Sequence, residues 1–179
     1  MDMTETTLER NVLYEGRIVT LRNDSVRLPN GKIADREVIE HPGGVTVAAL
    51  TAEQELLFVR QFRYPYGQVL LELPAGKLER GEDPLLAGQR ELAEETGASA
   101  AQYESLGLFY PTPGYCGEII HMYLARELRF AAACPDADEF LLCERIPLQV
   151  AVGMVLRGEI RDGKTQAAVL KCALRLDTL

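Results

Sequence analysis

A chain of 179 residues with 47% hydrophobic content is long enough to close one well-packed domain, or a domain with a small appendage, and too short for a multidomain machine. Its formal net charge of -8 argues against a basic face for nucleic acid or anionic membrane, so an anionic phosphate would have to be met with recruited cations. No apolar run reaches the roughly 18 residues of a membrane span.

The four cysteines, Cys116, Cys134, Cys143 and Cys172, form no C-x-x-C and follow no secretory signal. Reduced thiols in a cytoplasmic protein are expected, with Cys134 and Cys143 buried or half-exposed rather than paired. His41 and His121 are the only histidines, which gives a zinc cluster no support.

In chain order, residues 1–10 are polar and expected to fray. Short β-like runs follow at 17–21, 24–28 and 33–40, the last two separated by Pro29, Asn30 and Gly31, and Asn-Gly between alternating runs is a strong hairpin signal. His41, Pro42, Gly43 and Gly44 then punctuate the chain, so residues 1–43 are expected to form a small antiparallel β unit ahead of a main domain over 44–179. Such a unit is too thin to stand alone and must pack on something.

Residues 45–50 and 55–63 read as strands around a turn at 51–54, the second carrying Arg60 and Arg63. Arg63 borders a loop and suits the far phosphate of a substrate, or is an ordinary surface arginine. Residues 70–74 form a short apolar strand.

Next comes GKLERGEDPLLAGQRELAEETGA, starting at Gly76. Asp83 is a good N-cap, Pro84 suits the first helical position and Gly97 sits where a helix stops, so the spacing predicts a helix over 84–96. Glu91, Glu94 and Glu95 then share one face, where like charges repel unless something positive sits among them. Hard oxygen ligands on a rigid element suit Mg²⁺ or Mn²⁺, which bind through one or two carboxylates plus substrate phosphates. Arg90, four residues before Glu94, is placed to hold that carboxylate.

The spacing resembles the Nudix box, G-x5-E-x7-R-E-U-x-E-E-x-G-U with U bulky and aliphatic. Gly76, Glu82, Arg90, Glu91, Glu94, Glu95 and Gly97 meet every fixed position, and only Ala98 is smaller than usual. Chance agreement is on the order of 10⁻⁷ per starting position. The resemblance implies metal-assisted hydrolysis of a nucleoside diphosphate linked to another moiety, with the Ala75 carbonyl joining Glu91 and Glu95 around the metal. Glu72 and Glu79 either bind substrate or metal or face water.

Residues 103–110 form another strand and lead into PTPGYCGE, a shaped loop of the kind that carries specificity. It resembles the S-P-G-[FY]-x-x-E loop of the ADP-ribose pyrophosphatase branch of the Nudix family, with Pro113, Gly114, Tyr115 and Glu118 at matching positions and Thr112 in place of Ser. Glu118 is the candidate base for the attacking water, since the box carboxylates are occupied by metal; the alternative is the polar first residue of a strand. Tyr115 stacks on a substrate ring or packs as a lid. In this branch the N-terminal sheet is exchanged between two subunits and helps bind the adenine end. That implies a homodimer and makes Arg36 and Glu37 candidates for substrate contact, against an exposed charge pair on an edge strand.

Residues 129–138 read as a soft connector, 139–146 as a strand opened by Asp138 and Glu139, 147–156 as a helix ended by Gly158, and 164–176 as a last amphipathic helix. Strands on both sides of one signature helix, with two helices at the end, point to an α/β fold with a mixed sheet between helical layers. The resemblance names this a Nudix-type α/β/α sandwich plus the N-terminal β unit. It implies Mg²⁺-dependent cleavage of ADP-ribose to AMP and ribose 5-phosphate. GDP-mannose or UDP-glucose hydrolysis and a non-cleaving ADP-ribose sensor are the alternatives.

Overall fold

The computed structural model describes residues 2–132 and 140–177. They divide into two compact units, Met1–Gly43 with Tyr110–Ile119, and Gly44–Phe109 with Ile120–Leu179. Cys134, most of the expected connector and the Asp138–Glu139 strand opening lie outside the described residues.

The first unit is an antiparallel sheet of β1 (Thr6–Glu9), β2 (Val12–Glu15), β3 (Thr20–Arg27) and β4 (Ile33–Glu40). β4 lines one edge of β3 from Thr20↔Glu40 to Arg27↔Ile33, while β1 and β2 share the other edge. The turn between β3 and β4 closes with Leu28 N–H donating to Lys32 O at 2.8 Å, and Gly31 takes φ 82°, which a side chain would resist. Residues 6–9 do not fray: their polar side chains are exposed, but β3 offers their backbone a ladder, with Thr6 opposite Arg27. Likewise the two runs expected at 17–21 and 24–28 are one strand, because Asn23 pairs across from Glu37 and donates its N–H to Asn11 O at 2.8 Å.

Segment Tyr110–Ile119 belongs to this unit, although it follows the main-domain strand in the chain. Two backbone hydrogen bonds hold it: Ile39 N–H to Tyr115 O at 2.8 Å and Gly117 N–H to Ile39 O at 2.9 Å. They flank a parallel bridge between Ile39 and Cys116.

The second unit has two sheets. One runs in the order β8 (Ala75–Lys77), β5 (Gly44–Ala49), β10 (Ile120–Phe130), β9 (Ala98–Phe109); the other in the order β11 (Leu142–Pro147), β6 (Glu55–Arg63), β7 (Gln68–Glu72). β5 and β10 are parallel and the other pairs antiparallel, so the larger sheet is mixed. β5 is buried from end to end, as a strand covered on both faces must be. Val45, Val47 and Ala49 point to a core shared with Ala87 and Leu92 of α1 (Pro84–Thr96). Ala48 packs oppositely, against Ala151 and Val152 of α2 (Leu148–Leu156) and Ala168 and Val169 of α3 (Gly163–Arg175). Period-two alternation on one strand therefore builds an α/β/α sandwich, and each fully buried Leu or Phe, such as Leu56 and Phe58, contributes roughly 1.5–3 kcal/mol.

The strands at 44–49 and 55–63 do not form a hairpin. Leu50 N–H donates to Ala125 O at 2.8 Å, and a tight turn with Gln54 at φ 63° sends the chain into the other sheet. An isolated Leu50–Leu56 bridge and the Thr51 N–H to Glu55 O bond at 2.9 Å close the turn between them.

Candidate active site

Helix α1 is set by its ends. Asp83 accepts N–H bonds from Leu85 at 2.9 Å and Leu86 at 3.2 Å, Pro84 follows, and Gly97 closes the helix at φ 70°. Burial of Ala87 and Leu92 against β5 fixes the rotation of the helix. That rotation carries Glu91 and Glu95 inward, to 8% and 4% exposure, while Glu94 keeps more of its side chain in solvent.

Arg90 gathers three carboxylates. Its Nη1 donates to Glu91 at 2.9 Å and Glu94 at 3.0 Å, and its Nε and Nη2 take Glu82 in a two-point pair at 3.0 and 3.1 Å. The Glu82 hydrogen bond and the charges around it hold the guanidinium well above its ordinary pKa, so it is a permanent cation here. Glu82 also accepts the Glu79 N–H at 2.9 Å, tying the loop before the helix to the same cluster. Glu79 itself is exposed. The sequence assigns Glu82 no role beyond its place in the box; its pairing with Arg90 across eight positions supplies one.

The strand opposite is fitted to these carboxylates. Ala75 N–H donates to Glu95 at 3.1 Å. At Gly76 an added Cβ would overlap the Glu91 carboxylate, so only glycine lets that group lie against the backbone. Two buried carboxylates beside an unobstructed backbone are hard oxygen donors of the kind Mg²⁺ and Mn²⁺ take. Among the described residues, no three His, Cys, Asp or Glu side chains converge as a complete cage.

Arg63 is not a free surface arginine. It makes a two-point pair with Glu72, at 2.6 and 2.8 Å, and Glu72 is buried to 1% exposure. Lys164 of α3 bonds the same carboxylate and lies 2.9 Å from Asp162, the N-cap of that helix. Burial alone would push the Glu72 carboxyl up, but the Arg63 hydrogen bond and the Lys164 and Arg63 charges outweigh it and pull it down to about 2. A depressed carboxyl pKa stabilises the fold fully above the ordinary value of 4.5 and progressively less as pH falls toward about 2. Glu72→Gln is therefore expected to cost about 3 kcal/mol at neutral pH. The gap from wild type should narrow between pH 4.5 and 2 in urea unfolding, and a gap independent of pH would refute this account. The sequence shows nothing of Lys164, which lies 92 residues from Glu72.

In the first unit, Glu118 stands at the end of the 110–119 segment with its carboxylate 3.4 Å from His41 Nδ1. Tyr115 is 58% exposed and contributes its backbone O to Ile39. Arg36 is paired with Glu5 at 2.5 and 2.9 Å, which holds its Nε and Nη2, and Glu37 is exposed on the same strand. In the sequence His41 marks the start of a break, with no sign of Glu118 nearby; the parallel bridge at Ile39 and Cys116 is what brings the two together.

An α/β/α sandwich whose signature helix buries two carboxylates, Glu91 held by Arg90 against Gly76 and Glu95 held by the Ala75 N–H, is the framework of a phosphate-cleaving hydrolase that works with divalent cations. The chain belongs to the Nudix family: the NUDIX domain model matches residues 40–168, and the nucleoside diphosphate sugar hydrolase N-terminal domain model matches residues 5–39. Among its relatives, ADP-ribose pyrophosphatase of Bacillus subtilis (strain 168) is 39% identical over 93% of this chain and 91% of its own. Methanol dehydrogenase activator of Bacillus methanolicus is 42% identical over 92% and 90%. GDP-mannose pyrophosphatase of Citrobacter koseri is 33% identical over 89% and 90%. A crystal structure of an ADP compounds hydrolase superposes with a TM-score of 0.86 at 20% identity, covering 99% of this chain and 97% of that one, which shows the shared fold.

Proposed function

We propose that this Nudix hydrolase cleaves the pyrophosphate of ADP-ribose to AMP and ribose 5-phosphate, with Mg²⁺ as its cation and Mn²⁺ able to replace it. The observation that carries the reading is the buried Glu91–Glu95 pair against Ala75 and Gly76, on a chain that matches ADP-ribose pyrophosphatases over more than nine-tenths of its length.

Glu91 and Glu95, with the Ala75 carbonyl, would hold the cation. When bound, it neutralises charge building on the phosphate oxygens and acidifies water. Arg90 keeps Glu91 and Glu94 oriented through its Nη1. Glu118 takes the proton from the attacking water. Arg63 presents its remaining Nη1 to the far phosphate, since Nε and Nη2 are committed to Glu72. Glu79 and Tyr115 line the substrate, and Arg36 and Glu37 meet the adenine end in a homodimer formed through the N-terminal sheet. The protein acts in the cytoplasm on a free nucleotide, not on nucleic acid or at a membrane.

The GDP-mannose pyrophosphatase relatives favour a second reading in which the chemistry is kept and the nucleoside diphosphate sugar changes. Parallel assays with ADP-ribose, GDP-mannose and UDP-glucose in Mg²⁺ separate the two. The expected result is the highest kcat/KM for ADP-ribose; no turnover of ADP-ribose would end the first reading, and binding without turnover of any of the three would indicate a sensor.

A further inference from the structure

We propose that His41 is a positioning residue that orients the Glu118 carboxylate; this rests on the reading of Glu118 as the base. The backbone dictates the meeting. Ile39 and Cys116 form a parallel bridge, so residues two further along each segment, His41 and Glu118, emerge side by side. The hydrogen bonds of Ile39 to Tyr115 and Gly117 lock that register. The His41 side chain is only 12% exposed and that of Glu118 27%, so the pair is largely withdrawn from water.

His41 Nδ1 has two neighbours with opposite demands. Gly43 N–H points at it from 3.1 Å and needs its lone pair, while the Glu118 carboxylate at 3.4 Å needs a proton on it. One ring nitrogen satisfies one of them at a time. With the lone pair bare, the ring holds the His41–Gly43 turn. With Nδ1 protonated, it donates to Glu118 and holds the carboxylate. Glu118 sits at the end of a loop containing Pro111, Pro113, Gly114 and Gly117. An ångström of displacement in a reacting group costs up to about 10²-fold in rate, so a tether of this kind is worth having.

The test uses the full chain with ADP-ribose and Mg²⁺. His41→Leu, which removes the Gly43 hydrogen bond and the polar contact with Glu118 at similar bulk, is expected to lower kcat roughly 10-fold or more with KM little changed. His41→Asn, whose amide reaches the place of Nδ1 and can donate, should recover a large part of the loss. In a Glu118→Gln background His41→Leu should add nothing. Three results would overturn the role: a wild-type rate for His41→Leu beside a slow Glu118→Gln; an equal loss from His41→Leu in both backgrounds; or a loss that tracks a fall in Tm and a rise in KM without rescue by Asn. A near-normal rate for Glu118→Gln itself removes the base reading, and the positioning role with it, which distinguishes the two failures.

Discussion

Glu95→Gln is expected to remove about 10²-fold or more of the turnover of ADP-ribose at any practical Mg²⁺ concentration and to leave the fold intact. The substitution isolates charge from shape. Glutamine keeps an oxygen that accepts the Ala75 N–H now bonded at 3.1 Å, and it fills the same buried space on α1. What it takes away is one of the two buried negative charges that we propose hold the divalent cation. Thermal unfolding close to wild type, together with a collapsed kcat, is the expected pair of measurements. An unchanged kcat would refute the assignment of Glu95 to the metal.

Glu118→Gln is expected to lower kcat by about 10²-fold, the scale of a group acting in proton transfer, with little change in KM. An amide at that position keeps the volume and the contact with His41 but cannot accept a proton from water. The two variants differ in one more readout. Loss of Glu95 should alter the dependence on Mg²⁺ concentration, whereas loss of Glu118 should leave it unchanged because that residue is not assigned to the cation. Near-normal rates in the second variant would move the base elsewhere.

Helix α1 was legible because its signals are local. Asp83, Pro84 and Gly97 sit within one or two residues of the ends they specify, and the carboxylate face follows from a period of 3.6. The turn at Pro29, Asn30 and Gly31 was legible for the same reason, since positive φ at Gly31 is a one-residue property. Strand partners were harder. The stretches at 45–50 and 55–63 read as strands around a turn, but nothing in them names their partners: the N–H of Leu50 is taken by Ala125, 75 positions away along the sequence. Residues 6–9 look unstructured because their side chains are polar, and only the vacant edge of β3 makes them a strand.

By itself, the order of residues determined the signature helix, the face that bears Glu91, Glu94 and Glu95, the α/β class and the family. The helix and its face depend on spacing within a turn or two of chain, where neighbours are fixed by covalent geometry, and the class and family on the order of the elements and the pattern from Gly76 to Gly97. Tertiary structure alone decided that Arg63 and Lys164 meet on Glu72, that Gly76 makes room for Glu91, and that His41 stands beside Glu118. Arg63 reaches Glu72 across the β6–β7 pairing and Lys164 reaches it from 92 residues away, and such contacts form only when sheet register and helix packing have set the distances between elements.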